Sequence, residues 1–225
     1  MMTNALVIGA GGDIGTAIHR NLEAQGYNVV GTTRKSLDLS KKVSIDAFTR
    51  QNTTEFDHII FCAAENNPQA FLETTDDVID QSIQVNVLAL LQLLRNLLRG
   101  STIGSNGSIV IISSLFGHFV RAKRLPYVAS KHALMGVCKT LAVELSAQKI
   151  RVNSVSPGFI DTKLTRKNLS VEQISKLEQC IPLERLGHVD EVANVVSFLV
   201  SEMASYVNGT DVIVDGGFFA GGFME

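Results

Sequence analysis

The chain has 225 residues, 45% of them hydrophobic and 19% charged, with a formal net charge of -2. That length suits a single domain with an ample core. The near-neutral balance gives no electrostatic basis for partnership with nucleic acid or an anionic membrane. Three cysteines, Cys62, Cys138 and Cys180, lack metal-ligand spacing; they read as thiols of a reducing, cytoplasmic setting, and no metal site is expected. The N-terminus shows no basic n-region of a secretory signal. The longest apolar stretch, residues 85–98, is interrupted by Asn86, Gln92, Arg95 and Asn96, too short and too polar for a membrane span.

Short apolar runs alternate with amphipathic segments along the chain. Ala5-Leu6-Val7-Ile8 reads as a buried strand, residues 14–24 as a helix, and Asn28-Val29-Val30-Gly31-Thr32 as a second strand. Residues 41–50 are a helix candidate and His58-Ile59-Ile60-Phe61-Cys62 another strand. A long Leu-rich helix is expected over 76–99, a strand at Ser108-Ile109-Val110-Ile111-Ile112, and a long helix over 127–148. Arg151-Val152-Asn153-Ser154-Val155 is a strand, residues 171–180 and 189–199 are helices, and Asp211-Val212-Ile213-Val214 is the last strand. Strands that are apolar throughout and separated by helices indicate a doubly wound α/β fold, a parallel sheet covered on both faces in three layers, here a single domain over 1–225. Only Thr33 to Ser36 separate the second strand from Leu37-Asp38-Leu39, whereas a parallel crossover needs a dozen or more residues. The crossover between the second and third strands is therefore expected to be shortened, with the third a short edge piece.

Two stretches carry chemistry. Ile8-Gly9-Ala10-Gly11-Gly12-Asp13-Ile14-Gly15 joins the first strand to the first helix, where glycines permit a tight turn and a pyrophosphate can approach free helix N–H groups; the alternative is a glycine turn with no ligand. At the end of the second strand Thr33 stands where dinucleotide folds often place an acid, and Arg34 follows. An arginine pairs with a 2′-phosphate that an acid would repel, so NADP(H) is preferred with NAD(H) possible, unless Arg34 is a solvated loop charge. Tyr127 is followed four residues later by Lys131. On a helix the two share a face, and a nearby cation is expected to lower the phenol pKa and suit it to proton transfer.

With these residues the chain resembles the short-chain dehydrogenases/reductases of the compact, single-domain, Rossmann type, over essentially its whole length. Tyr127 and Lys131 match that family's Tyr-x-x-x-Lys, Ser114 sits thirteen residues before Tyr127 at the position of its catalytic serine, and Asn86 matches the asparagine of its central helix. Pro157, Gly158, Ile160 and Thr162 resemble the segment that holds the nicotinamide amide. Asp38, with Leu39 beside it, resembles the adenine contact, and Asn208-Gly209 with Asp215-Gly216-Gly217 the C-terminal signature. The resemblance implies hydride transfer between the nicotinamide and a carbonyl or alcohol substrate. Tyr127 would be the acid-base group, Lys131 would depress its pKa and hold the ribose, Ser114 would bind the substrate oxygen, and Asn86 would support a water chain from Lys131. It also implies cofactor contacts from Gly9, Gly12, Asp13, Ile14, Gly15, Arg34, Cys62, Ala63 and Ala64, and assembly as a homodimer or homotetramer.

Three departures stand out. Asp13 replaces the compact type's middle glycine, leaving Gly9-x-x-Gly12-x-x-Gly15 as in the extended relatives; Ile8 replaces a threonine; and Phe61-Cys62-Ala63-Ala64 replaces Asn-Asn-Ala-Gly. A non-catalytic nucleotide-binding protein is the rival reading, and a scaffold built on the Leu-rich helix a third. The substrate is not legible. His118, Arg121, Lys123 and Arg124 in the loop before Tyr127 suit an acidic substrate or are a solvated loop, and Phe218, Phe219 and Phe223 line a pocket or pack on a neighbouring subunit. Surplus apolar surface on the 76–99 and 127–148 helices points to an interface, with Leu94→Glu as its probe.

Overall fold

The computed structural model describes residues 3–100 and 103–222; Phe223 lies outside them. Six parallel strands form one sheet in the order β2-β1-β3-β4-β5-β6: β1 Asn4–Ile8, β2 Asn28–Thr32, β3 Phe56–Phe61, β4 Ile103–Ile112, β5 Arg151–Pro157 and β6 Asp211–Val214. Strand alternation divides the core in two. Leu6 and Ile8, Ile59 and Phe61, and Ile109 and Ile111 face one layer; Ala5 and Val7, Ile60, and Val110 and Ile112 face the other. Both faces are therefore apolar, and the strands read as continuous hydrophobic runs.

Helices α2 (Lys42–Gln51), α4 (Ala89–Arg99) and α5 (Leu125–Glu144) bury their apolar stripes on the first layer, through Ile45, Leu90, Leu93, Leu97, Leu134 and Cys138. Helices α1 (Asp13–Ala24) and α8 (Val189–Val200) cover the second, through Ile18, Leu22, Val192 and Val196. From β1 the chain turns outward to β2 and then crosses back to β3 on the other side of β1. This reversal opens a crevice at the carboxyl ends of β1 and β3, the place where ligands enter such sheets.

The structure corrects the sequence reading at several elements. Leu37-Asp38-Leu39 forms no strand: the sheet stops at β2, and the crossover from β2 runs through α2 straight to β3. Leu37 and Leu39 are buried in the core under that loop, so their apolar-polar-apolar pattern reports packing rather than a ladder. The helix expected over 76–99 is α3 (Asp76–Ile83) and α4 joined by a π-helical turn, Gln84–Leu88. The 127–148 helix starts earlier, at Leu125, and ends at Glu144 before a 3₁₀ turn. Between β5 and α8 lie α6 (Lys163–Asn168), which the sequence pattern did not reveal, and α7 (Val171–Gln179). Leu94 is buried in the first core layer, so a charge there would unfold the subunit; the exposed leucines are Leu91 on α4 and Leu88 just before it. Among the described residues no helix is long and apolar enough to cross a membrane.

Candidate active site

The glycine turn after β1 is shaped by contacts that exclude side chains. Gly9 has φ +91, and a Cβ there would lie 2.8 Å from the Ala63 nitrogen; one on Gly15 would lie 2.2 Å from the Gly9 carbonyl oxygen. Both close approaches require glycine. α1 thus begins against the turn, with Gly12 as an N-cap that has no side chain to occupy the helix's free N–H groups. Those groups and the helix dipole remain available to an anion. Asp13, the departure in this loop, is engaged within the protein: its Oδ2 accepts from the Lys163 N–H at 2.6 Å, tying the start of α1 to the start of α6.

Two cavities meet at this turn, each of about 650–660 Å³, and share Gly11, Gly12, Cys62 and Ala64 in their walls. Together they make one trough. Its first half is lined by Gly9, Thr33, Arg34, Asp38, Leu39 and Ala63. Its second half is lined by Asp13, Ile14, Gly15, Ser114, Tyr127, Lys131, Pro157, Gly158, Ile160 and Thr162. Every residue expected at the site therefore reaches the trough except Asn86.

Asn86 sits fully buried in the π-helical turn. Its Oδ1 accepts from the Glu65 N–H at 2.7 Å, and its Nδ2 donates to the Glu65 carbonyl and to Ser130 Oγ, each at 2.9 Å. The side-chain amide braces the loop after β3. Ser130 in turn donates to the Tyr127 carbonyl at 2.7 Å, which links this brace to the first turn of α5. Asp38 is similarly occupied: its carboxylate accepts from the Ser40 N–H and hydroxyl, and these bonds with the Lys41 charge hold its pKa below the usual value.

At the other end, Ser114 follows β4 and caps a 3₁₀ turn, its Oγ accepting from the Phe116 N–H at 3.2 Å. Tyr127 lies in the first turn of α5, and Lys131 one turn on places its Nζ 5.4 Å from the Tyr127 ring centre. Lys131 is buried and donates to the Ile112 carbonyl at 3.0 Å; of its three donors, two remain for other partners. Burial depresses its pKa to about 8, with the neighbouring Cys62 opposing that shift, while burial drives the Cys62 thiol up to about 12. The Tyr127 phenol moves opposite to expectation. Burial raises its pKa, while its hydrogen bond with Ser114 and the charge of Arg124 pull it down by less. Burial thus favours the neutral phenol, and the groups that favour its ionised form are Ser114 and Arg124.

The trough also contains Asn66, Ser113, Phe116 and Leu164, which the sequence reading passed over, together with Phe159 and the α6 residues Lys163 and Lys167. A signal for α6 was present, since Thr162 caps it by accepting from the Thr165 N–H at 3.1 Å. Six residues of mixed polarity give no periodicity to find. Among the described residues no cluster of His, Cys, Asp and Glu could hold a metal ion.

A family model described as enoyl-(acyl carrier protein) reductase matches residues 36–219. The 3-oxoacyl-[acyl-carrier-protein] reductase FabG of Buchnera aphidicola subsp. Schizaphis graminum is 33% identical over 96% of both chains. Among solved structures, a short chain dehydrogenase family protein from Francisella tularensis subsp. tularensis SCHU S4 superposes with a TM-score of 0.90 at 26% identity, covering 98% of this chain and 100% of its own. A 4-hydroxyisoleucine dehydrogenase complexed with NADH reaches 0.91 at 28% identity, covering 97% and 99%. With the Tyr127–Lys131 pair, the glycine turn and the parallel sheet in place, the chain belongs to the short-chain dehydrogenase/reductase family of oxidoreductases.

Proposed function

We propose that this protein is an NADP(H)-preferring carbonyl reductase in which Tyr127 is the proton donor. The observation that carries the reading is the convergence of Ser114, Tyr127 and Lys131 at one end of a trough whose other end is the glycine turn and Arg34. The donor set fits a dinucleotide: free N–H groups at the start of α1 for a pyrophosphate, the two unspent donors of Lys131 for ribose hydroxyls, and Pro157, Gly158, Ile160 and Thr162 along the nicotinamide wall. A reduced nicotinamide bound there supplies a hydride to the carbonyl carbon. The Tyr127 phenol gives its proton to the carbonyl oxygen, yielding an alcohol and the oxidised cofactor. A phenol that burial keeps protonated suits donation in the reductive direction. Ser114 steadies the developing charge on the oxygen with its hydroxyl. Asn86 acts through position, fixing the Glu65 loop and, through Ser130, the start of α5.

Cofactor preference rests on the exposed Arg34, with Lys35 beside it and no acid at Thr33. A homodimer or homotetramer in the cytoplasm belongs to the same proposal. A groove between α4 and α5 is lined by Leu88, Leu91, Leu98 and Leu141, and Leu88 and Leu91 are 42% and 38% exposed. Leu91→Glu would weaken such an interface without entering the core. The overall reading is tested by following NADPH absorbance, with NADH in parallel, across a panel of ketones, aldehydes and oxo acids. Turnover with an NADPH preference is expected. Cofactor binding without turnover of any carbonyl compound would favour a regulatory nucleotide-binding protein instead.

A further inference from the structure

The second half of the trough is strongly cationic in a way the hydride chemistry does not use. Besides Lys131, which the reductase reading already uses, four cationic side chains line it, Arg121, Arg124, Lys163 and Lys167, against a single carboxylate, Asp13. Asp13 is already engaged with Lys163. Three arginines elsewhere have acids, Arg20 with Asp190, Arg166 with Asp161 and Arg185 with Glu191; the part-buried Arg151 is instead satisfied by backbone carbonyls. Among the described residues Arg121 and Arg124 form no ion pair.

Arg124 is the more telling of the two. It is the residue before α5, three positions ahead of Tyr127, and only partly exposed. Its guanidinium carbon lies 5.6 Å from the centre of the Phe116 ring, and that ring meets Tyr127 edge-on with centres 6.0 Å apart. The charge is thus held over a flat apolar platform beside the proton donor. Burial and the nearby Arg121 both work against that charge, offset by Tyr127. A part-buried guanidinium without a carboxylate, next to a second one, is an arrangement that an arriving anion relieves. The α5 first turn contains no acidic residue to fill the place.

We propose that Arg124, assisted by Arg121, binds a carboxylate on the substrate, so that the substrate class is a small oxo acid or its hydroxy acid counterpart. The inference rests on the reductase reading above. The position favours a small acid over an acidic carrier protein. Arg124 lies in the wall of the cavity against Phe116, close to where the reacting carbon must sit, rather than on an outer face where a protein would dock.

The test uses matched pairs: 2-oxobutanoate, 3-oxobutanoate, 4-oxopentanoate and 3-oxooctanoate, each with its neutral methyl ester. Calorimetric titration into protein saturated with oxidised cofactor reads binding without turnover, and steady-state assays with reduced cofactor read kcat/KM. At least one acid should bind about 10–100-fold tighter than its ester, the range of a charge-assisted hydrogen bond. In Arg124→Met, which keeps an unbranched apolar stem over Phe116, that ratio should collapse toward one, and Arg124→Lys should restore part of it. Equal binding of acids and esters, or a ratio unchanged in Arg124→Met, overturns the proposal while leaving the reductase reading intact. So does a preference for dihydroxyacetone phosphate, or for a 3-oxoacyl thioester on an acidic carrier protein, over every free acid. Acids that bind through Arg124 but are never reduced would uphold the anion site and count against the reductase reading.

Discussion

At the chemistry end of the trough, Ser114, Tyr127 and Lys131 hang from β4 and α5 and are braced from below by Ser130 and Asn86. At the other end, Arg34 and Lys35 stand exposed on a turn held by Ser36 and Leu37 bonding back to Thr33. Among the described residues the sheet has no strand beyond β2. Charges in the first region are desolvated and act strongly at short range; charges in the second are hydrated and screened beyond about 8 Å at physiological salt. The contrast is one of burial: the reacting centre is built on central strands and a packed helix, whereas the Arg34 end rests on a surface turn beside the edge strand β2.

If the comparison holds, substitutions at the two ends should differ in size and in salt dependence. The largest effect is expected for Tyr127→Phe, which should lower kcat by about 10²–10⁴-fold while cofactor binding, read by NADPH fluorescence, is largely kept. Activity near that of the wild type would remove Tyr127 from the mechanism.

Arg34→Ala should act more weakly. We expect the ratio of NADPH to NADH affinity to fall by about tenfold at low salt, and by less as salt rises, since an exposed charge-assisted contact is screened. A preference unchanged in the variant would assign discrimination to Lys35 or to the turn backbone.

The smallest expected effect is a stability profile. Lys131 has its folded pKa lowered to about 8, so between about 8 and its ordinary value near 10.4 the unfolded chain binds more protons, and stability rises with pH. Cys62 has its folded pKa raised to about 12 from an ordinary 9.0; across that window the folded chain binds more protons, and stability falls. The two oppose one another above about pH 9. The wild type should therefore gain only about 1 kcal/mol between pH 8 and 9 and then level off. Cys62→Ala should keep rising toward pH 10, as read by urea midpoints. Identical profiles for the two proteins would show that Cys62 and Lys131 do not oppose one another in this way.

Much of this architecture was legible in the sequence because buried parallel strands are continuous apolar runs and the phosphate turn needs glycine for steric reasons visible at Gly9 and Gly15. The failures have physical causes. Leu37 and Leu39 looked like strand positions because burial, not hydrogen-bonded pairing, fixed their type. The π-helical turn at Gln84–Leu88 was invisible because its side chains keep helical spacing; what accompanies it is the pull of Glu65 on Asn86, a contact 21 residues distant in sequence. Spacing placed Tyr127 and Lys131 on one face correctly. The direction of the phenol's shift depends on how dry the site is, and spacing carries no record of burial. The choice left open for Arg121 and Arg124, between an acidic substrate and a solvated loop, turns on burial in the same way.

The central claim is that Tyr127 protonates a carbonyl that receives hydride from a reduced nicotinamide bound along the trough. Single-turnover reaction of the protein with NADPH carrying deuterium at the transferable C4 position and a reducible carbonyl compound tests it most directly, with the product analysed by mass spectrometry. The account predicts one deuterium on the former carbonyl carbon with wild-type protein, and a transfer rate at least about 100-fold lower in Tyr127→Phe under the same cofactor saturation. Unlabelled alcohol from the wild type, or equal transfer rates in the two proteins, would contradict it.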